Sequence, residues 1–315
     1  LTGYIVRRLL TTIPVLLGIT FIVFAMVSLA PGDAISLMLG SETANVANVE
    51  RLRRELGLDL PWYEQYLRYM KGLLTGDMGR SITYKRPVVD MIRERFNNTL
   101  ILAASSTLFA LVISLPLGIA AAYQRRSWID YGASTLAMLG VSLPSFYLGL
   151  LLIIVFGLNL GWLPIRGMAS RSASLGTYIR HLILPSVTLG SGLAGILTRL
   201  TRSSVLEALS QDYVRTARAK GVGERKVLYK HALRNALLPV TTTFGLQFGG
   251  LLGGAAIIET IFSWPGVGML AVNAVKQRDI PLIQGTTLVF ALGFVLVTLV
   301  VDILYVAIDP RIRYE

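Results

Sequence analysis

Cysteine is absent from this 315-residue chain, and histidine occurs only at His181 and His231. Without a thiol there is no disulfide, no thiolate nucleophile and no cysteine metal ligand. Two histidines far apart in sequence offer little from which one chain could build a zinc or nickel site. Charge is also scarce: 15% of residues are Asp, Glu, Lys or Arg, against roughly 25% in ordinary soluble domains. Acidic residues are the rarer sign, 18 against 30 Lys and Arg, for a net charge of +12. A G-x-x-x-x-G-K-[ST] phosphate loop is missing; Lys220 stands before Gly221, the wrong order for one. No repeat and no low-complexity linker divides the chain.

What is abundant is apolar surface, 53% of residues. Six stretches are long and apolar enough to cross a bilayer, which takes about 20 residues each: 9–30, 98–123, 131–157, 181–200, 237–261 and 284–308. The first follows Arg7 and Arg8 and ends at a small residue, as a secretory signal does. Its run from Leu9 to Leu29 exceeds the roughly 7–15-residue core of a signal, so it reads as a retained span. Pro116, Pro144 and Pro185 fall within spans and predict kinks, because proline lacks the amide hydrogen the preceding turn needs. The fold class is therefore an all-α integral membrane protein with six transmembrane helices.

In that setting the basic excess is topological and does not mark a nucleic-acid partner. Arg7, Arg8, Arg125, Arg126, Arg311 and Arg313 lie in one set of connections, together with a dense run from Arg199 to Arg234. This set is cytoplasmic by the positive-inside rule, and both termini lie there. The expected division is 1–30 (cytoplasmic N-terminus and first span), 31–97 (a large periplasmic insert), 98–308 (a five-helix core containing a cytoplasmic loop, 201–236) and 309–315 (cytoplasmic tail). Within the insert, Val49, Leu52 and Leu56 repeat at helical spacing, and Gly57 can cap that helix. Asp59 and Pro61 open another, whose Trp62, Tyr66, Tyr69 and Leu73 share one face. Such a face suits the membrane surface, a partner or the insert's own packing.

The loop 201–236 is the most informative segment. Ser210 is a candidate N-cap, and residues 211–220 are mostly helix formers. Gly221 and Gly223 then interrupt, and a second helix carries Val227, Leu228 and Leu233 among basic residues. Two short helices joined by a glycine elbow make a rigid knob, where a plain connector would need neither the length nor the apolar residues. Within the spans, Gly245, Gly249 and Gly253 recur every four residues, and Gly190 with Ala194 and Ser191 with Gly195 repeat that spacing, which lets helices approach closely. Glu259 and Asp302 lie near span ends, which argues against a mid-membrane proton relay. Ser142 and Ser145 flank Pro144, and Gln247 is central in the fifth span. With Gly249 and Gly253 they are the candidate translocation path, lined by neutral polar groups; hydrogen bonds between helices are the other role open to them.

The run Asp212-Tyr213-Val214-Arg215-Thr216-Ala217-Arg218-Ala219-Lys220-Gly221, followed by His231-Ala232-Leu233-Arg234-Asn235-Ala236, resembles the coupling loop of binding-protein-dependent ABC importer permeases. The likeness is to the branch serving dipeptides, oligopeptides, glutathione and nickel. The wider family's Glu-Ala-Ala motif is degenerate here, with Arg215 and Thr216 in place of Glu-Ala and Arg234 in place of a proline. Further matching stretches run in order along the chain: Pro31-Gly32-Asp33, Leu56-Gly57-Leu58-Asp59, Gly76 to Ser81, Trp264 to Gly268 and Asp309 to Tyr314.

The resemblance implies a type I ABC importer permease fold in the bacterial inner membrane. It implies a second homologous permease subunit, two ATPase subunits or domains that bind the ATP and Mg, and a periplasmic substrate-binding protein. The chain itself binds no cofactor or metal and is not an enzyme; it carries peptide, glutathione or chelated nickel inward by alternating access. The residues implied to meet the ATPase are Tyr213, Arg215, Ala217, Lys220, Gly221, Gly223, Glu224, Arg225, Lys226, His231 and Arg234. A secondary transporter or channel is the other reading, which paired repeats or buried ions would favour.

Overall fold

A computed structural model describes residues 2–28, 59–170 and 172–308, and in these the chain is helical. The expected helix at 49–56 and the stretches Pro31-Gly32-Asp33 and Asp309 to Tyr314 lie outside the described residues, as do the side chains of Arg7, Arg8 and Asp302. The elements are α1 (Thr2–Ser28), α2 (Trp62–Leu74), α3 (Val88–Tyr123), α4 (Trp128–Ser142), α5 (Ser145–Leu152, continued as a π-helix through Ile153–Asn159), α6 (Leu175–Ser210), α7 (Asp212–Ala219), α8 (Glu224–Lys226, continued as a π-helix through Val227–Ala232), α9 (Leu233–Ile261), α10 (Val267–Lys276) and α11 (Ile280–Ile308).

Among the described residues, three helices are individually long and apolar enough to span a membrane: Val88–Tyr123, Leu175–Ser210 and Ile280–Val301. Two bent pairs raise this to five, and Leu10–Ala25 is the apolar part of α1. The third sequence span, 131–157, is not one straight or merely kinked helix. Trp128–Ser142 and Ser145–Asn159 meet at 109°. Proline drives its predecessor out of the α region, and Leu143 is extended, at φ −79° and ψ 126°. Pro144 then stands at the start of α5, where its missing N–H costs nothing. Pro116 and Pro185 stay inside the continuous helices α3 and α6. The fourth span also extends further than its apolar run: α6 reaches Ser210, ten residues past the expected end, because a helix needs no lipid to continue into water.

The chain divides into two units, Leu1–Asn98 with Pro265–Val295, and Thr99–Trp264 with Leu296–Glu315. In the first unit, Val88, Met91, Ile92, Val267, Leu270, Ala274 and Leu282 form the core. The buried Asp279 carboxylate accepts the Ser81 hydroxyl (2.5 Å) and the backbone N–H groups of Ile82 and Thr83 (3.2 and 3.0 Å), which pins the loop that follows Arg80. The expected aromatic face of α2 packs on α1. Tyr66 sits against Phe21 and Phe24, with ring centroids 5.6 and 5.4 Å apart, and its hydroxyl meets Thr20 at 2.9 Å.

In the second unit, Leu102, Leu184, Leu193, Leu197, Ile258, Phe262 and Trp264 lead the core. The small residues of α6 let helices touch. A Cβ built on Gly190 would lie 2.5 Å from the Ser106 carbonyl oxygen, and one on Gly195 2.4 Å from that of Ala137. Gly190→Ala and Gly195→Ala are therefore expected to cost about 1–3 kcal/mol by overpacking. Gly253→Ala, inside α9 with open space around its added methyl, is expected to raise the melting temperature of the purified protein slightly, since alanine is favoured over glycine in a helix by about 1 kcal/mol. Equal melting of all three variants would contradict the packing.

Candidate functional site: a glycine-hinged knob

The knob begins where α6 ends. Ser210 is the last residue of α6, not a cap, and its hydroxyl donates to the Glu207 carbonyl at 2.7 Å. Gln211 occupies the N-cap of α7. At the other end of α7 the backbone closes in a Schellman turn. The Gly221 N–H donates to the Arg218 carbonyl (2.9 Å) and the Val222 N–H to that of Ala217 (3.2 Å). Gly221 holds φ +75°, a left-handed angle that costs an ordinary residue roughly 1–2 kcal/mol. Gly223 then caps α8, its carbonyl accepting from Lys226 and Val227.

This geometry folds the two segments onto a small core of their own. Val214, Ala217 and Val227 are buried, with Leu209 and Val222 packed against them. Burying a valine side chain is worth about 1.5–3 kcal/mol, which is substantial for so short an element. Across the elbow Arg218 grips Glu224 with two hydrogen bonds of 2.8 and 3.1 Å. That carboxylate raises the Arg218 guanidinium above its usual range, the hydrogen bond contributing most. Both partners are half exposed and screened by water, so the pair serves mainly to fix the angle. A second cluster roots the knob: Leu228, Ala232 and Ala236 pack with Val205 and Ala208 of α6 and Ala122 of α3. The second knob helix is continuous with α9 through the π-helical stretch, so the expected free-standing helix is instead the near end of a span.

The implied ATPase-contact residues divide by burial. Tyr213, Arg215, Lys220, Gly221, Gly223, Glu224, Arg225, Lys226 and Arg234 are exposed, and His231 is half-buried. Ala217 is buried, so it holds the knob together from within. The exposed face is thus strongly basic and mounted on a closed core. A groove of about 310 Å3 lies at its foot, lined by Ser204, Glu207, Gln211, Tyr213, Asn235 and Pro239 among others.

Of the candidate translocation residues, Ser142 alone lines the larger cavity, of about 860 Å3, with Ser134, Met138, Arg199 and Arg202; Ser145, Gln247, Gly249 and Gly253 are not among its walls. Gly249 is buried, Gln247 half-buried, and Ser145 and Gly253 exposed. Sequence reasoning also missed the ion pair beside this cavity. Arg202 on α6 donates to both oxygens of Asp130 on α4, at 2.5 and 2.8 Å. A signal was present in Ser127-Trp128-Ile129-Asp130, an N-terminal capping pattern, in which the Ser127 hydroxyl accepts from the Asp130 N–H.

Residues 114–314 match the family described as binding-protein-dependent transport system inner membrane component, and residues 1–103 match its N-terminal companion. The glutathione transport system permease protein GsiC of Escherichia coli K12 is 47% identical over 313 residues, covering 99% of both chains. Its counterpart from Salmonella paratyphi A is equally similar, at 47% over 99% of each. Among solved structures, an inward-facing MetNI methionine ABC transporter chain superposes with a TM-score of 0.55 at 17% identity, over 70% of this chain and 96% of that one; this likeness speaks to fold.

Proposed function

This chain belongs to the family of binding-protein-dependent transport system inner membrane components, the permeases of ABC importers, and from that premise we propose that it couples ATP hydrolysis on a separate subunit to inward transport of glutathione or a peptide of similar size. The single observation that carries the coupling role is the knob: a basic, exposed handle with its own core, rooted in three helices. Alternating access needs a stiff element that passes motion between two states, and a loose connector would absorb it. In this reading two such knobs, one on each of two homologous permease subunits, sit on two ATPase subunits, and a periplasmic binding protein delivers the substrate. ATP and Mg belong to the ATPases. The termini face the cytoplasm, residues 31–97 form the periplasmic insert, and spans 9–30, 98–123, 181–200, 237–261 and 284–308 cross the inner membrane, with 131–157 as a sixth, broken span folded back at Pro144. The substrate class follows the relatives' glutathione transport.

Because the chain has no cysteine, single cysteines test this cleanly. In the assembled transporter, Lys220→Cys and Arg225→Cys are expected to cross-link to the ATPase subunit, whereas Leu74→Cys on α2 is not. Uptake of labelled glutathione into vesicles should require ATP inside the cytoplasmic compartment. Uptake driven by an ion gradient alone would favour the secondary-transporter reading instead.

A further inference from the structure

Helix α2 carries two apolar stripes, and only one is used within the described residues. Trp62, Tyr66, Tyr69 and Leu73 form the stripe that meets Phe21 and Phe24 of α1. Tyr63, Leu67, Met70 and Leu74 repeat the same four-three-four spacing one position on, which makes a second stripe beside the first. Most of this stripe is open: Tyr63, edge-on to Trp62, is 50% exposed, Leu67 64% and Leu74 83%, while Met70 is half-buried. Glu64, Arg68 and Lys71 occupy the remaining face. No residue of α2 is fully buried, so a lone amphipathic helix in water would hold this surface at a cost of about 25 cal/mol for every Å2 of apolar area.

The geometry points to the outer boundary of the bilayer as the occupant of the second stripe, with α2 lying in the interface as an anchor beside the first span. Continuity carries this inference. The outward surface of α1 is apolar along Leu10, Ile13, Val15, Leu17, Phe21 and Ile22, all exposed. In a membrane permease such a surface meets lipid. Helix α2 touches α1 at Thr20, Phe21 and Phe24, with the Tyr66 hydroxyl reaching back to the Leu17 carbonyl; this is the outer half of the apolar stretch Leu10–Ala25 and the level of the exposed Phe21 and Ile22. The stripe beside that contact therefore meets the same medium at the same depth. The residue types agree: Trp62, Tyr63, Tyr66 and Tyr69 are the aromatic residues that collect at headgroup level. Arg68 and Lys71 are long enough to reach headgroups while their stems cover apolar surface. The inference rests on the membrane reading of the family but is independent of the knob's role.

Nitroxide labels on single cysteines test it in the full chain reconstituted in vesicles of phosphatidylethanolamine and phosphatidylglycerol. Labels at Leu67→Cys and Leu74→Cys are expected to show collision ratios of oxygen to a water-soluble nickel chelate several-fold higher than labels at Arg68→Cys and Lys71→Cys. A label at Ile13→Cys on α1 supplies the lipid reference. High chelate access at Leu67 and Leu74 would place the stripe in water and overturn the inference. Low access to both probes there would overturn it too, by showing protein cover from residues 29–58 or a second subunit. Failure of the Ile13 label to meet oxygen would remove the membrane reading itself, and the anchor with it, while leaving cross-linking at the knob to be read on its own.

Discussion

Gly221→Pro is expected to reduce ATP-driven uptake to the level of vesicles without ATP, while the protein still inserts in near-normal amount. Two physical losses act at one position. Proline removes the N–H that donates to the Arg218 carbonyl at 2.9 Å. It also fixes φ near −65°, where the native value is +75°, a difference that redirects the chain after α7. Val222 then leaves the Val214–Ala217–Val227 core, and Glu224 no longer lies in reach of Arg218. The root of the knob survives, because Leu228, Ala232 and Ala236 are held by α6 and α3; this separates coupling from insertion. Gly221→Asn is the informative companion. Asparagine tolerates the left-handed region and keeps its N–H, so this variant should retain most of the uptake. Gly223→Ala, at φ −61° with open space around the added methyl, should be close to wild type. Wild-type uptake by Gly221→Pro would remove the case for a rigid handle.

How much of this was legible beforehand depends on the range of the forces involved. The long apolar helices α3, α6 and α11 were legible because a run of about 20 apolar residues is a local property, and the elbow because Gly221 and Gly223 are local punctuation. The 109° turn at Pro144 was only half legible. Proline announces a break, but the angle depends on Leu143 going extended and on what the two halves then pack against. The true length of α6 was hidden because an apolar run marks where lipid ends, not where the helix ends. Asp279 was invisible in its role, since the Ser81, Ile82 and Thr83 donors that give it one lie nearly 200 residues earlier. The second stripe of α2 follows the same spacing as the first, and only the packing of the first on α1 separates the two.

The pair Asp130–Arg202 sets the second large expectation, at the base of the helix that carries the knob. The Asp130 side chain is 5% exposed and that of Arg202 30%. The carboxylate also accepts the Arg126 N–H at 2.9 Å. Arg202→Met leaves that carboxylate without its cation; because Arg202 borders the cavity and the Arg126 N–H still serves the carboxylate, the loss is expected below the roughly 3–5 kcal/mol of a fully buried pair, at about 1–3 kcal/mol. Asp130→Leu strands the guanidinium instead, less severely because Arg202 can reach water. Replacing both by apolar residues of similar size removes the desolvation cost along with the attraction, so Asp130→Leu with Arg202→Met is expected to recover most of the lost stability. Thermal denaturation of the purified protein gives the three shifts, and their non-additivity is the coupling between the helices. Arg215→Met, at an arginine whose side chain is 75% exposed, supplies the surface reference. If Arg202→Met shifts melting no more than that reference, the ion pair does not hold α4 to α6, and the knob's stiffness must come from its apolar root alone. If the double variant melts like the wild type yet transports poorly, the pair serves the motion of α6 beyond its stability, because only the charge, and not the packing, has then been lost.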